Sequence, residues 1–287
     1  MKKRSIRLML AALAVTVVAG GFAGCSSNTA TVSGTVTLAG STALQPLADQ
    51  AGKNYTTKNP SVTVTVQGGG SGTGLTQVSQ GTVNIGNSDV AAASKLDAAA
   101  AAALVDHKVC GIGFAVVVNK AVKVASLTDQ QIQDIFTGKV TNWNQVGGQD
   151  LAIQVIHRTA SSGTRATFVS TIMNGVAEND SVGTTQDSNG SVEKAIASTD
   201  GSISYLALSY INDTVKQSLT PIQIDNVDPT NANIVAGTYK FWSWEHMYTK
   251  GDATGAAKAF LDYMVSDDNK ALIQQLGYIS ASDMGNK

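Results

Sequence analysis

The chain has 287 residues, a formal net charge of −1, 43% hydrophobic residues, two cysteines and three histidines. That length allows one large domain or two lobes with cores of their own. The near balance of charge excludes binding to nucleic acid or to an anionic membrane surface through global charge, so any anion site must be local.

The first 25 residues stand apart. "MKKRSIR" carries four positive charges and no acid, "LMLAALAVTVVAG" is apolar, and small residues lead to Cys25. This is the order of a secretory signal, and the apolar run falls short of the ~20 residues of a membrane span. Residues 1–24 are expected to be that signal. "FAGC" resembles the lipobox of bacterial lipoproteins, which implies lipidation of Cys25, although Phe22 stands where a Leu-like residue is usual. The mature chain is then 287 less 24, or 263 residues. Its 20 basic residues less the leader's four leave 16 against 21 acidic, a balance of −5. Residues 25–33 form the lipid anchor and a small, polar tether. Lipidation leaves Cys110 without a partner, and in "VCGIGFAVVV" it reads as a buried small apolar residue. His107, His157 and His246 show no ligand spacing, and CxxC and HExxH are absent, so neither a metal nor a cofactor is expected.

In chain order, "TVTLAG" predicts a strand. "STALQPLADQAGKNYTTKNP" predicts a helix capped by Ser41 or Thr42 and stopped before Pro60. "SVTVTVQ" alternates as a strand does, and "GGGSGTGLTQVSQG" reads as a glycine-rich turn opening a helix. "VNIGNSDV" is a strand with a polar end, "AAASKLDAAAAAALVDH" a helix by alanine content, and "CGIGFAVVVNK" a fully buried strand. "LTDQQIQDIFTG" sets Leu127, Ile132, Ile135 and Phe136 on one helical face. "LAIQVIHR" is a strand, "SGTRATFVSTIMNG" a helix ended by Gly175, "SVEKAIAS" a helix and "SISYLAL" a strand. "ATGAAKAFLDYMVSDDNKALIQQLGY" holds one or two closing helices. This alternation predicts an α/β fold with mainly parallel sheets flanked by helices.

Three strand-to-helix corners share one chemistry. Gly40, Ser41 and Thr42 occupy the first, Ser71 and Thr73 the second, and "HRTASSGTRATF", His157 to Phe168, the third. A helix's first turn has backbone N–H groups without partners and a partial positive charge, and glycine lets a ligand approach closely. Any one such corner is explained by N-capping alone. "GGGSGTGL" has no P-loop lysine, and no acid follows at the distance a dinucleotide fingerprint needs. Arg158 beside Ser161, Ser162, Gly163 and Thr164 adds a planar fork of donors suited to an oxyanion. Asp89, at the end of "IGNSDV", fits only if the ligand carries a proton, because a carboxylate accepts from P–OH and repels a fully deprotonated anion. The alternative is that Asp89 caps the alanine-rich helix that follows.

Taken together, "GSTALQP", "GGGSGTG", "IGNSDV", "IFTGKVTNWNQVGG" and "HRTASSGTRATF" resemble the phosphate-binding proteins of bacterial high-affinity phosphate ABC importers, in order and across the mature chain. The resemblance implies a two-lobed type II solute-binding-protein fold with the ligand cleft between lobes. It implies phosphate-binding contributions from Thr42, the backbone of Ala43, Ser71 and Asp89 on one lobe, and from Arg158, Ser162, Gly163 and Thr164 on the other. Crossings near Phe114–Val118 and Gly237–Trp242 give lobes of 34–115 with 241–287, and 116–240. The implied protein is an extracytoplasmic, lipid-anchored monomer without catalysis. It hands inorganic phosphate to the transmembrane subunits of an ABC permease with a cytoplasmic ATPase, touches the membrane through its anchor only, and binds no nucleic acid. Ala43 replaces an aromatic residue of some members, "YKFWSWEHMYTKG" stands where many carry Ser-Arg-Pro, and "VCGIGF" lacks an acid often seen before that strand.

The competing readings are a binder of another oxyanion, of sulfate or molybdate type, and a secreted serine hydrolase or phosphatase. Asp89 speaks against the first. The absence of GxSxG and of a triad setting for any histidine speaks against the second. His157 should point away from Arg158 if both lie on a strand. Arg165, two helical turns on, should face away from the ligand as a solvated or interlobe residue. Asp187, Asn189 and Ser191 either edge the cleft or cap the next helix, and capping is the preferred reading. Trp143, Trp242 and Trp244 are expected to be packing residues.

Overall fold

The computed structural model describes residues 32–285. The expected signal peptide, the lipidation at Cys25 and all but the end of the tether lie outside the described residues.

β1 (Gly34–Gly40) leads through a tight turn into α1 (Gln45–Lys58). The Ser41 hydroxyl caps that turn, accepting from the N–H groups of Ala43 and Leu44 at 3.1 and 3.0 Å. Helix α1 has proline in its first turn, where no N–H is needed, and stops before Pro60 as expected. β2 (Val62–Gly69) runs parallel to β1, and α2 (Ser71–Gln80) returns to β3 (Ile85–Ser88), also parallel to β1. The alanine-rich helix is far shorter than its composition predicts. Only α3 (Ala98–Ala102) forms, capped by Asp97, and β4 (Leu104–Asn119) already begins at Leu104. Alanine has high helix propensity but little surface to bury, whereas Leu104 to Gly113 join a long antiparallel ladder that outweighs it.

β5 (Ser126–Leu127) precedes α4 (Asp129–Phe136), which is held by a capping box of Thr128 and Gln131. Trp143 follows, fully buried, with its indole N–H on the carbonyl of Gly201 at 2.9 Å. β6 (Gln154–Arg158), α5 (Gly163–Thr171) and β7 (Thr184–Gln186) lead to α6 (Asn189–Ser198) and β8 (Ser202–Ala207). β9 (Leu219–Ile224) and α7 (Asn231–Ala236) come before the return strand β10 (Trp242–Lys250). α8 (Gly255–Met264), α9 (Asp267–Gln275), β11 (Ile279–Ser280) and α10 (Ala281–Met284) close the chain. Among the described residues no helix is long and apolar enough to cross a membrane.

The strands form a single mixed sheet in the order β2-β1-β3-β10-β4-β8-β6-β7, with β9 and β11 on β4, and β5 on β9. Pairings on the flanks are parallel, as the helix-crossover pattern predicts. The centre is antiparallel: β10 pairs with β3 and with the first part of β4, and β8 and β9 pair with its last part. The partner of β4 changes between Gly113, opposite Trp242, and Phe114, opposite Ala207. From Val109 to Asn119 the strand is buried throughout, so it reads as one apolar run although its two ends serve different halves of the sheet. Cys110 is a free, fully buried thiol within it.

Candidate ligand site

The first corner buries Thr42. Its Oγ1 accepts from Arg158 Nη2 at 3.3 Å and from the backbone and side-chain nitrogens of Asn189 at 3.2 and 2.9 Å. With its lone pairs taken, the hydroxyl keeps its own proton to donate. Ala43 lies in the same buried turn, but its N–H is engaged by Ser41 at 3.1 Å. The second corner places Ser71 at the start of α2, after Gly70, whose φ of 85° suits glycine alone. Ser71 Oγ accepts from the N–H of Asp89 at 3.0 Å and donates to its carboxylate at 3.3 Å.

At the third corner β6 ends in Arg158, and Ser162 caps α5 by accepting from the N–H of Arg165 at 3.1 Å. The N–H groups of Gly163 and Thr164 stand at the open first turn, where a helix offers donors to an anion. Thr164 Oγ1 donates to Asp89 at 2.9 Å. All eight sequence-derived residues are thus brought together: Thr42, Ala43, Ser71 and Asp89 on one side, Arg158, Ser162, Gly163 and Thr164 on the other. Asp89 is no helix cap. The short turn after it is flanked by Ala91, α3 is capped by Asp97, and the Asp89 carboxylate takes hydroxyls from both sides.

The corners approach closely. A Cβ on Gly163 would lie 2.2 Å from Ser71 Oγ and 2.9 Å from Asp89 Cγ, so no larger residue fits without separating them. Gly72 N–H donates to the carbonyl of Ser161 at 2.8 Å, Ser161 Oγ to that of Gly69 at 3.1 Å, and Lys95 Nζ to that of Ala160 at 2.8 Å. From the 3-10 turn after β8, Tyr210 and Ser209 reach back to the carbonyls of Thr42 and Ala43 at 2.9 and 3.2 Å. Sequence reasoning missed these bridges, because a lone Lys, Tyr or Ser carries no pattern. Of the two readings of Asn189, the preferred one, a helix cap, is overturned: Ser188 caps α6, and Asn189 turns to Thr42 at the edge of the corner.

Arg158 is 1% exposed. Nη2 bonds to Thr42 and to the carbonyl of Asp187, while Nε and Nη1 have no partner among the described residues. Burial pulls its pKa down, and Tyr205, Asp89, Tyr210 and Asp187 act against that. Guanidinium stays charged regardless, so these two desolvated nitrogens, with three N–H bonds between them, fit an anion. The open surface hollows lie elsewhere. One of them, about 520 Å³, is lined by Asn231, Val235, Gln274 and Tyr278 and gathers no such donors.

Behind the corner, His157 points away from Arg158 as alternation predicts. Its ring nitrogens meet Glu178 and the carbonyl of Val182. His157, Glu178 and Asp180 gather their ligand-type atoms within 4.8 Å, a cluster hidden by sequence separation. Both nitrogens of His157 and the carboxylate of Asp180 are already used within the protein, so the cluster reads as structural. Arg165 is a correction to the sequence reading. It does face away from the ligand corner, but it is neither solvated nor interlobe. It pairs with Glu178 and Asp180 at 3.4 and 2.7 Å and donates to the carbonyl of Arg158 at 2.6 Å. Burial lowers its pKa, but Glu178 and Asp180 outweigh that and hold it above the ordinary value. Arg165→Ala is expected to cost about 1–3 kcal/mol of stability, because Glu178 stays buried with one partner fewer. In a thermal melt that is a fall of roughly 2–4 °C per kcal/mol.

An α/β fold whose sheet halves meet over buried, mostly uncharged donors defines a solute-binding protein. A family model, the PBP superfamily domain, matches residues 26–268. The chain is 44% identical, over 99% of its own length and 96% of the relative's, to Phosphate-binding protein PstS of Bacillus subtilis (strain 168). A Clostridium perfringens protein crystallised with bound phosphate superposes with a TM-score of 0.79 at 26% identity, covering 86% of this chain and 100% of that one. An ABC-type phosphate transport receptor from Vibrio cholerae gives 0.68 at 29% identity, covering 86% and 100%. The chain belongs to the PstS family of the PBP superfamily.

Proposed function

We propose that the protein is an extracytoplasmic receptor that binds inorganic phosphate between two lobes and delivers it to an ABC permease. The observation that carries this reading is the pairing of a buried cation with a buried acceptor. Arg158 holds two unpartnered guanidinium nitrogens, and Asp89, close enough to act on that charge, stands beside Ser71 and Thr164. An oxyanion with at least one proton satisfies both, and phosphate is such an anion at neutral pH. The names of the Bacillus subtilis relative and of the solved receptors support the same ligand. The binding residues are Thr42, Ser71, Asp89, Arg158, Ser162, Gly163 and Thr164, with Ala43 contributing its N–H when Ser41 releases it, and Asn189 holding Thr42 in place.

The lobes are 34–115 with 241–287, and 116–240. The change of partner along β4 at Gly113 and Phe114, beside Phe241 and Trp242, supports crossings at these two places. Hinge closure about them brings the corners together. The bridges from Ser161, Lys95 and Tyr210 then belong to the closed form.

Calorimetric titration of phosphate, sulfate and arsenate into residues 26–287 tests the reading. Phosphate should bind and sulfate should not; tight sulfate binding would favour the other-oxyanion reading. An aryl phosphate ester should remain unhydrolysed, since the protein acts as a receptor and not as an enzyme. Gly163→Ala should weaken phosphate about ten- to a hundredfold, through the roughly 1–3 kcal/mol of an overpacked contact with Ser71 and Asp89, with little change in the melting point of the ligand-free protein.

The anchor is a diacylated or triacylated Cys25 following a cleaved signal peptide. One acyl chain gives only marginal anchoring, so stable attachment needs the multiple chains of a lipoprotein. Cys25→Ala should move the protein from the membrane fraction to the soluble fraction with phosphate binding intact. Unchanged fractionation would place the anchor elsewhere.

A further inference from the structure

Glu245, on β10, is fully buried, yet neither carboxyl oxygen has an aligned hydrogen bond among the described residues. The register explains what it faces. His246 pairs antiparallel with Ser88, the last residue of β3, and Met247 with Asn87, and just past that end Asp89 comes close enough to act on the Glu245 carboxyl. Alternate residues of an extended chain share a face, and Asp89 follows Asn87 by two. Asn87 lies on that same face, fully buried, with both ends of its amide unpartnered. A polar patch of three side chains therefore sits beneath the ligand corner, and among them Asp89 accepts aligned hydrogen bonds from two hydroxyls, Ser71 and Thr164.

Burial, then the Asp89 carboxylate, push the Glu245 carboxyl well above its ordinary value, with Ser41 acting in the opposite direction. The titratable groups that face it are Asp89 beyond β3, Cys110 from β4 and Tyr278 ahead of β11, and none of them is a cation. Two adjacent carboxyls in a dry site cannot both ionise. Asp89 is fixed as the acceptor by Ser71, Thr164 and its own N–H on Ser71, which leaves the proton to Glu245.

We propose that Glu245 is a positioning residue for the ligand site: as the protonated member of a Glu245–Asp89 acid pair, it presents its proton to Asp89 from behind and keeps Asp89 the ionised acceptor. The site then carries one positive charge on Arg158 and one negative charge on Asp89. An ionised Glu245 would add a second negative charge behind the oxyanion. The proposal rests on the phosphate reading above.

The test uses the full chain, titrated with inorganic phosphate and with sulfate. Glu245→Gln keeps a neutral donor of the same shape and is expected to bind phosphate within about threefold of wild type. Glu245→Met keeps the volume and removes the donor, and is expected to weaken phosphate about tenfold or more, the loss of one charge-assisted hydrogen bond. Infrared difference spectra of wild type against Glu245→Gln at neutral pH should show the carbonyl stretch of a protonated carboxylic acid. The stability readout has a fixed sign. The unfolded chain releases this proton above the ordinary value of 4.5 while the folded chain keeps it, so wild type loses stability relative to Glu245→Gln as pH rises. The proposal is overturned if the infrared band is absent, if Glu245→Met binds phosphate as wild type does, or if Glu245→Gln loses as much as Glu245→Met. If wild type itself takes no phosphate, the ligand reading fails and the infrared band decides the proton alone. If Glu245→Met does not fold, the band and the glutamine variant decide.

Discussion

Arg158→Ala should weaken phosphate binding by about 2–5 kcal/mol, roughly thirtyfold to several thousandfold, measured by calorimetry. The range is set by what is lost. Two desolvated guanidinium nitrogens and their three N–H bonds vanish from a site where this side chain is the buried cation, and Thr42 and the carbonyl of Asp187 lose their shared donor. Arg165→Ala is the control. It removes an arginine seven residues away that touches Glu178, Asp180 and the Arg158 carbonyl, so it should lower the melting point more than the affinity. Equal losses of affinity from the two variants would show that Arg158 acts as part of the ion cluster and not on the ligand.

Asp89→Asn should change selectivity more than affinity. In wild type, sulfate would set an anion oxygen against a buried carboxylate with no proton between them. That unpaired contact costs several kcal/mol, enough for discrimination of about a thousandfold or more. Asparagine keeps the shape, can still accept from one of Ser71 and Thr164 through its single oxygen, and can donate to a bare oxygen through its nitrogen. Sulfate should therefore bind the variant markedly better, while phosphate loses less than it does in Arg158→Ala. Competition of sulfate against phosphate in both proteins measures this, and an unchanged ratio would remove Asp89 from the ligand.

Much of the site was legible because its chemistry is local. A hydroxyl or glycine at a helix start, and an arginine at a strand end, are visible within a dozen residues. The eight residues named from the sequence do converge. The groups that were missed act over distance. Asn189 lies 147 residues from the Thr42 hydroxyl it holds, and Lys95 lies 65 from the carbonyl it meets. The buried carboxyl of Glu245 sits within "FWSWEHMY", where nothing marks it off from a surface acid. The misjudged helix has the same origin. Alanine content favours helix over residues 91–107, but the partner that draws Leu104 to His107 into strand is β10, about 140 residues later.

The sequence by itself determined the alternation of strand and helix, the composition of the three corners, and Arg158 and Asp89 as the charges of the candidate site. Those depend on propensity, capping and the period of apolar residues, which act between near neighbours. Only the tertiary structure decided that the sheet is antiparallel at its centre, that Gly163 must be glycine, and that Arg165 is tied into a buried ion cluster. It alone buried Glu245 close enough to Asp89 for the two carboxyls to interact. Each of these is fixed by the register and close packing of segments far apart in the chain, and burial makes the pairing of polar groups compulsory only once those segments have met.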